Sequence, residues 1–248
     1  MGIGDTKVQW IDTLAAGLMC PGSVGGRKLM NLEYSKTSRT TPLLPLHLIA
    51  EISHRVVNEY AEAICLLGQA AKAAHDVQAR LTLTSVESRL RAQVEAHRAL
   101  QAPIIDGPMN LADYIGELCA CLARAPLADN GMRLTVTADE VWLDADRCWR
   151  VGLIVAELVR NAARHGLSGG AGAIWVVVED AAGHVRCVVC DDGRGSADAC
   201  AGRGQGLVQA LAAELGGSIA WTFAPNGCCA VLQFDRPPER APHAPASR

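Results

Sequence analysis

From Leu43 onward the apolar positions recur three and four residues apart. Ile49, Ile52, Val56, Tyr60, Ile64 and Leu67 form one stripe, which predicts a helix with one dry face. A bend is expected between Gly68 and Gln78. A second helix, from about Ala79 to Leu100, carries Leu83, Val86, Leu90, Val94 and His97 on one side. Two long consecutive helices predict a hairpin. The stretch "APIIDGPMN" then ends it with Pro103, Gly107 and Pro108.

Beyond that break the periodicity changes. "LADYIGELCACLARA" reads as a helix, and "MRLTVTADEVWLDA" alternates as two short strands. "DRCWRVGLIVAELVRNAARHGL" reads as a helix starting near Asp146. "AIWVVVEDAAGHVRCVVCDDG" predicts a β-hairpin turning near Gly183. "GQGLVQALAAELGG" is a helix closed by glycines, and "SIAWTFAPNGCCAVLQFD" a second hairpin turning at Asn226-Gly227. The expected class is α+β: a helical hairpin over 43–108, then a helix layer on a mixed sheet over 109–236. Residues 1–42 read as a partly disordered leader. The Pro/Ala-rich stretch 237–248 reads as a disordered tail.

Composition narrows the function classes. The chain has 248 residues, half of them hydrophobic, enough for a buried core. A net charge of −3 gives no cationic field for nucleic acid. No apolar run reaches the length of a membrane span, and the N-terminus lacks the features of a signal peptide, so the expected location is cytoplasmic. The ten cysteines are scattered. Cys187 and Cys190 form a CxxC, but within a strand their odd separation points them to opposite faces, so a shared zinc is not expected. The cysteines read as small buried hydrophobes in a reducing compartment.

Candidate chemistry begins in "EISHRVVNEYAEAI". At about 100° per residue, His54 lies about 200° from both Ile52 and Val56, so its imidazole is expected to face water. Glu51 and Asn58, three before and four after, share that face. A neutral imidazole is a fair nucleophile near pH 7, and a neighbouring carboxylate or amide can orient it and handle its proton. A surface histidine requires no such role on its own.

Three stretches in the second half add to it. In "ELVRNAARHG", Glu157, Asn161 and Arg164/His165 follow at helical spacing. An acid and an amide oxygen one turn apart suit magnesium, and Arg164 and His165 can meet phosphate oxygens. "DDGRG" puts Asp191 at a strand end, where its carboxylate can accept from an amino group such as that of adenine. Gly193 and Gly195 let backbone pass close to a flat ring. "GRGQGL" holds Gly202, Gly204 and Gly206 directly before a helix, a place where amides face an anion. Each stretch alone also fits an ordinary cap or tight turn.

Their order resembles the ATP-binding domain of the GHKL type, shared by histidine kinases, gyrase and mismatch-repair ATPases. "ELVRNAARHG" resembles the N box, and "DDGRG" and "GRGQGL" the two glycine boxes. "EISHRVVNEYAEAI" is similar to the phosphoacceptor helix of the HRxxN histidine kinases, with His54, Arg55 and Asn58 in the motif positions. The resemblance covers about Leu43 to Asp235. It implies a two-component kinase that phosphorylates His54 from ATP and Mg2+ and passes the phosphoryl group to an aspartate of a response regulator receiver domain. Glu51 would orient His54 or act as base. Asn161 would hold magnesium with Glu157 beside it, and Asp191 would read adenine. Gly193, Gly195, Gly202, Gly204 and Gly206 would shape the pocket and its lid. The resemblance also implies a homodimer joined through the hairpins as a four-helix bundle. It leaves sensing to a separate protein or to the leader.

The segment between Gly195 and Gly202, "SADACA", is short for a lid, and Arg160 stands where a small or apolar residue is expected. Two rival readings follow. One is a histidine phosphotransferase with a kinase-like, weakly binding or non-binding second domain. The other is an ATP-binding regulator that phosphorylates protein serine, for which the hairpin would be superfluous.

Overall fold

The computed structural model describes residues 46–103, 107–124, 131–181, 183–193 and 203–236. The expected leader and tail, and Gly195 and Gly202, lie outside the described residues.

Helix α1 (Leu46–Ala73) and helix α2 (Val77–Ala99) form the hairpin. The chain reverses between them at 74–76, where the Asp76 carboxylate accepts the Ala79 N–H at 2.8 Å and caps α2. The bend therefore falls near the end of the expected window, and Gly68 stays inside α1.

The row that α1 buries is Val57, Ile64 and Ala71. Val57 and Ile64 pack with Val94 of α2, flanked by half-buried Tyr60 and Leu90. Of the expected stripe, Ile64 is buried and Val56, Tyr60 and Leu67 are half-buried, so the correction is local: Val57 rather than Val56 is the buried residue of its turn. A single neighbouring helix selects one narrow row and leaves the flanks uncovered. Position 54, three before Val57, is about 60° round the helix from it. On α2, Val86, expected inward, is 40% exposed, and Val77 and Leu81 of the same helix and Leu66 of α1 are more exposed still.

The second half contains β1 (Pro108–Asn110), α3 (Leu111–Leu122), β2 (Met132–Ala138), β3 (Trp142–Asp144) and α4 (Ala145–Asn161). A π-helical turn (Ala162–Gly166) follows, then β4 (Gly172–Ala181), β5 (His184–Asp191), α5 (Arg203–Glu214), β6 (Ser218–Ala224) and β7 (Gly227–Asp235). Five strands form one mixed sheet in the order β2-β4-β5-β7-β6. Only β2 and β4 run parallel. β3 leaves that sheet and pairs with β1, Met109 facing Leu143. β1 is too short to show a period, and its partner is distant in sequence, so local pattern could not predict it.

Helices α3, α4 and α5 cover one face of the sheet. Leu111, Ile115 and Leu118 of α3 and Val151, Ile154 and Val155 of α4 meet Ile174, Val176, Val189, Leu232 and Phe234 of the strands. Each large side chain buried in this way contributes about 1.5–3 kcal/mol. Arg147 closes the far end of the layer. Its guanidinium donates to the carbonyls of Leu215 (3.1 Å) and Asp235 (3.0 Å) and lies over the Phe234 ring at 5.2 Å.

The other sheet face carries a smaller cluster: Val188, Cys190, Cys229 and Val231, with Trp175 and Val177 at its edge. Cys187 belongs to the helix-covered core and Cys190 to this cluster, so the odd spacing does separate them. Cys190 is not a free thiol, however. It forms a disulfide with Cys229, its facing residue on β7. The expectation of free buried thiols is corrected for this pair, which a sequence separation of 39 concealed. Cys119, Cys148 and Cys187 remain free and buried, their thiols pushed up to about 12 chiefly by desolvation.

The last hairpin turns at Pro225–Asn226, with Ala224 paired to Gly227, one residue earlier than expected. Proline at the second turn position and glycine at the fourth favour that choice. Among the described residues no helix is long and apolar enough to cross a membrane.

Candidate nucleotide site

The site is built where α4, β5, β7 and the start of α5 meet. Helix α4 is driven into place by its apolar face, Val151 to Val159, which carries Glu157 and Asn161 to its last turn. There the helix widens. The Leu167 N–H reaches back to the Ala162 carbonyl at 2.8 Å, and Ala162–Gly166 forms a π-helical turn, a feature often found at functional sites. The widening shifts the angular phase, so Arg164 and His165 do not continue the line of Glu157 and Asn161. Asn161 is half-buried, whereas Arg164 and His165 are exposed. Gly166 ends the turn against β5.

Asp191 closes β5 and is 3% exposed. Its Oδ1 accepts the Gly193 N–H at 3.0 Å, and the backbone N–H of Cys228 donates to the same carboxylate. Burial pushes this carboxyl above its ordinary range. The two amides pull it back only in part, and the charge of Asp192 adds to the rise. A carboxylate offers about four acceptor sites. The two amides use two, which leaves capacity for an N–H donor from outside.

Two residues without side chains let backbone pack tightly against Asp191. A Cβ at Gly166 would lie 2.5 Å from Asp191 Oδ1. A Cβ at Gly193 would overlap the Gly166 carbonyl. The Asp192 carboxylate fixes the following turn by accepting the Ala173 N–H at 2.6 Å. The Asp191 carboxylate is thus a buried acceptor held between the bare backbone of Gly166 and Gly193.

On the opposite side of the Asn161 turn, Glu157 reaches the first turn of α5. A Cβ at Gly204 would overlap its carboxylate. Gly206, in the same helix, is exposed, and a Cβ there would meet nothing within 4 Å. Arg160 also gains a place: half-exposed, it pairs with Glu157 at 3.4 Å. For a metal, Glu157 and Asn161 supply two oxygen donors. No group of three or more His, Cys, Asp or Glu residues that could hold a metal ion occurs among the described residues. Two donors one turn apart fit magnesium, which keeps several waters and completes its shell with substrate phosphates. They do not fit a metal that needs a full protein cage.

Glu157 thus meets Gly204, and Asp191 meets Gly166 and Gly193, on the two sides of the chain segment that carries Asn161. Glu51, His54 and Asn58 are on α1 in the hairpin, a separate element; Asn58 is exposed, and the side chains of Glu51 and His54 are outside the described residues. Two members of the site were not singled out by the sequence. Gly166 stood in the motif without a role. Cys228 faces Asp191 in the β5–β7 register, with its thiol pushed up to about 12 by burial and then by the Asp191 charge. Only the pairing of β5 with β7, which is not local, could have found it.

The comparisons with known proteins agree with this geometry. Residues 126–222 match the family model described as "Histidine kinase-like ATPase domain". The sensor histidine kinase PdtaS of Mycolicibacterium smegmatis is 29% identical over 187 residues, covering 72% of this chain and 37% of that protein. Blue-light-activated histidine kinase 2 of Erythrobacter litoralis is 31% identical over 185 residues, covering 67% of this chain and 52% of that protein. The chain therefore spans about a third to a half of the length of these curated relatives. The solved histidine kinase domain of a blue-light-activated kinase from Erythrobacter litoralis superposes with a TM-score of 0.52 at 21% identity, over 70% of this chain and 95% of that one, a likeness of fold. Over residues 126–222 the chain therefore carries a histidine kinase-like ATPase domain of the GHKL type.

Proposed function

We propose that the chain is a two-component histidine kinase of the HRxxN subclass, working as a cytoplasmic homodimer. The observation that carries the reading is Asp191: a buried carboxylate with spare acceptor capacity, beside two positions where no side chain fits. Such an acceptor suits the adenine amino group. The phosphates would then lie towards Asn161, where the amide and Glu157 would hold magnesium, and the exposed Arg164 and His165 would reach their oxygens only from off that line. Magnesium supplies charge neutralisation on the phosphates when bound.

In the transfer step an imidazole nitrogen of His54 attacks the γ-phosphorus. The new P–N bond forms as the P–O bond to the β-phosphate breaks, and ADP leaves with the bond electrons. The imidazole proton passes to a base, for which Glu51 stands one turn away, while Asn58 on the other side orients the ring. The receiver aspartate then takes the phosphoryl group from His54. The exposed Leu66, Val77, Leu81 and Val86 of the hairpin support dimerisation, since a second hairpin would remove them from water.

The test is phosphotransfer itself. Chain labelled from ATP and Mg2+ should lose label to an added receiver domain. Asn161→Ala should bind nucleotide without its magnesium dependence and should not label. A chain that binds no ATP but takes phosphate from a phosphorylated receiver would mark a phosphotransferase instead. Stable label on serine of another protein would mark a serine-directed regulator.

A further inference from the structure

Among the described residues the hairpin meets the ATPase body along the last turns of α2. The last carbonyls of a helix have no partner within it. In α2 two of these are claimed by the ATPase body. The Tyr114 hydroxyl, from α3, donates to the Ala99 carbonyl at 3.1 Å. The Trp149 indole N–H, from α4, donates to the Leu100 carbonyl at 2.9 Å. Ala96 is buried in the body's own core, and Ala99 and Leu100 pack against it. Trp149 is 5% exposed, and the Tyr114 ring lies where a Cβ at residue 152 would come within 2.5 Å of it, so Gly152 makes its room.

Two lengths give this joint a role. The hairpin reverses at 74–76, and Val57 packs with Val94, so position 54 of α1 stands level with roughly position 97 of α2. The acceptor histidine is therefore at the end of the hairpin where the body is attached. On the body, Trp149 lies in the second turn of α4 and Asn161 at its last residue, roughly 18 Å apart at 1.5 Å per residue. The nucleotide end is an arm extending from the joint.

We propose that Tyr114 and Trp149 are positioning residues: their bonds to the Ala99 and Leu100 carbonyls form the pivot about which α4 carries the nucleotide end of the body to position 54. The inference rests on the kinase reading for its chemistry, but not for its mechanics. The pivot acts on the geometry of transfer and leaves the nucleotide pocket untouched.

The experiment uses the full chain with Tyr114→Phe, which removes only the donor, Trp149→Phe, which keeps an aromatic ring but gives up the indole N–H and part of the ring volume, and the double variant. The autophosphorylation rate at saturating ATP should fall at least fivefold in each single variant and further in the double. The KM for ATP should stay within twofold. Trypsin should cut after Arg98, in the last turn of α2, several-fold faster in the double variant than in the wild type. An unchanged rate in the double variant would overturn the pivot, and so would parallel losses of rate and ATP affinity, the mark of a merely structural role. If the wild type takes no label, the kinase reading fails on its own. The pivot is then judged by the protease, and equal cleavage of wild type and double variant would overturn it.

Discussion

Gly166 and Asp191 are packed so closely that residue 166 has no room for a side chain, because its Cβ would stand 2.5 Å from the Asp191 carboxylate oxygen. The carboxylate has little freedom to yield, since it is buried and bonded to the amides of Gly193 and Cys228. The contact couples the end of the π-helical turn, which follows Asn161, to the tip of β5.

Gly166→Ala should therefore move Asp191. The expected effects are a stability loss of about 1–3 kcal/mol from overpacking and a fall of tenfold or more in nucleotide affinity. Denaturant unfolding and titration with a fluorescent nucleotide measure the two.

The first turn of α5 allows a paired comparison. Gly204→Ala drives a methyl into the Glu157 carboxylate, whereas at Gly206 the same methyl meets open space. Gly204→Ala should weaken magnesium-dependent nucleotide binding. Gly206→Ala should raise the melting temperature, since alanine is favoured over glycine in a helix interior by about 1 kcal/mol.

Asp191 gives a pH dependence with a definite sign. In the unfolded chain it titrates near about 3.9. In the folded free protein desolvation raises that value. Below the unfolded value the group is neutral in both states and costs nothing. As pH rises through the window up to the folded value, this group lowers the stability of the free protein. An adenine amino group favours the ionised form, so binding should expel a proton in that window. Nucleotide affinity should fall as pH drops into it. Calorimetry in two buffers of different ionisation enthalpy reads the released proton, and Asp191→Asn should remove the release.

Much of this was legible along the chain, and what was not depends on distant pairing. The hairpin, the two β-hairpins and the order of the chemical motifs follow from local periodicity and turn residues. The choice of Val57 over Val56 was not legible, because α2 makes that choice. The same holds for the β1–β3 pair, the Cys190–Cys229 bond and the place of Cys228 beside Asp191, which all depend on partners far away in sequence. The π-helical turn was hidden for another reason. "NAARHG" carries no helix breaker before its glycine, so the pattern predicts regular helix where the structure widens.

Arg147 separates stability from function. Arg147→Leu would leave the Leu215 and Asp235 carbonyls without their donor and the Phe234 ring without its cation. The expected cost is about 2–3 kcal/mol. It should appear in the melting temperature, with nucleotide affinity unchanged once the protein is folded.

The central claim is that the ATPase body delivers a phosphoryl group to His54. It is tested most directly by incubating purified chain, and His54→Ala beside it, with γ-labelled ATP and Mg2+. The account predicts acid-labile, base-stable label on the wild type and none on the variant, with both binding nucleotide equally well. Label that persists on His54→Ala, or a wild type that binds ATP and never labels, would contradict it.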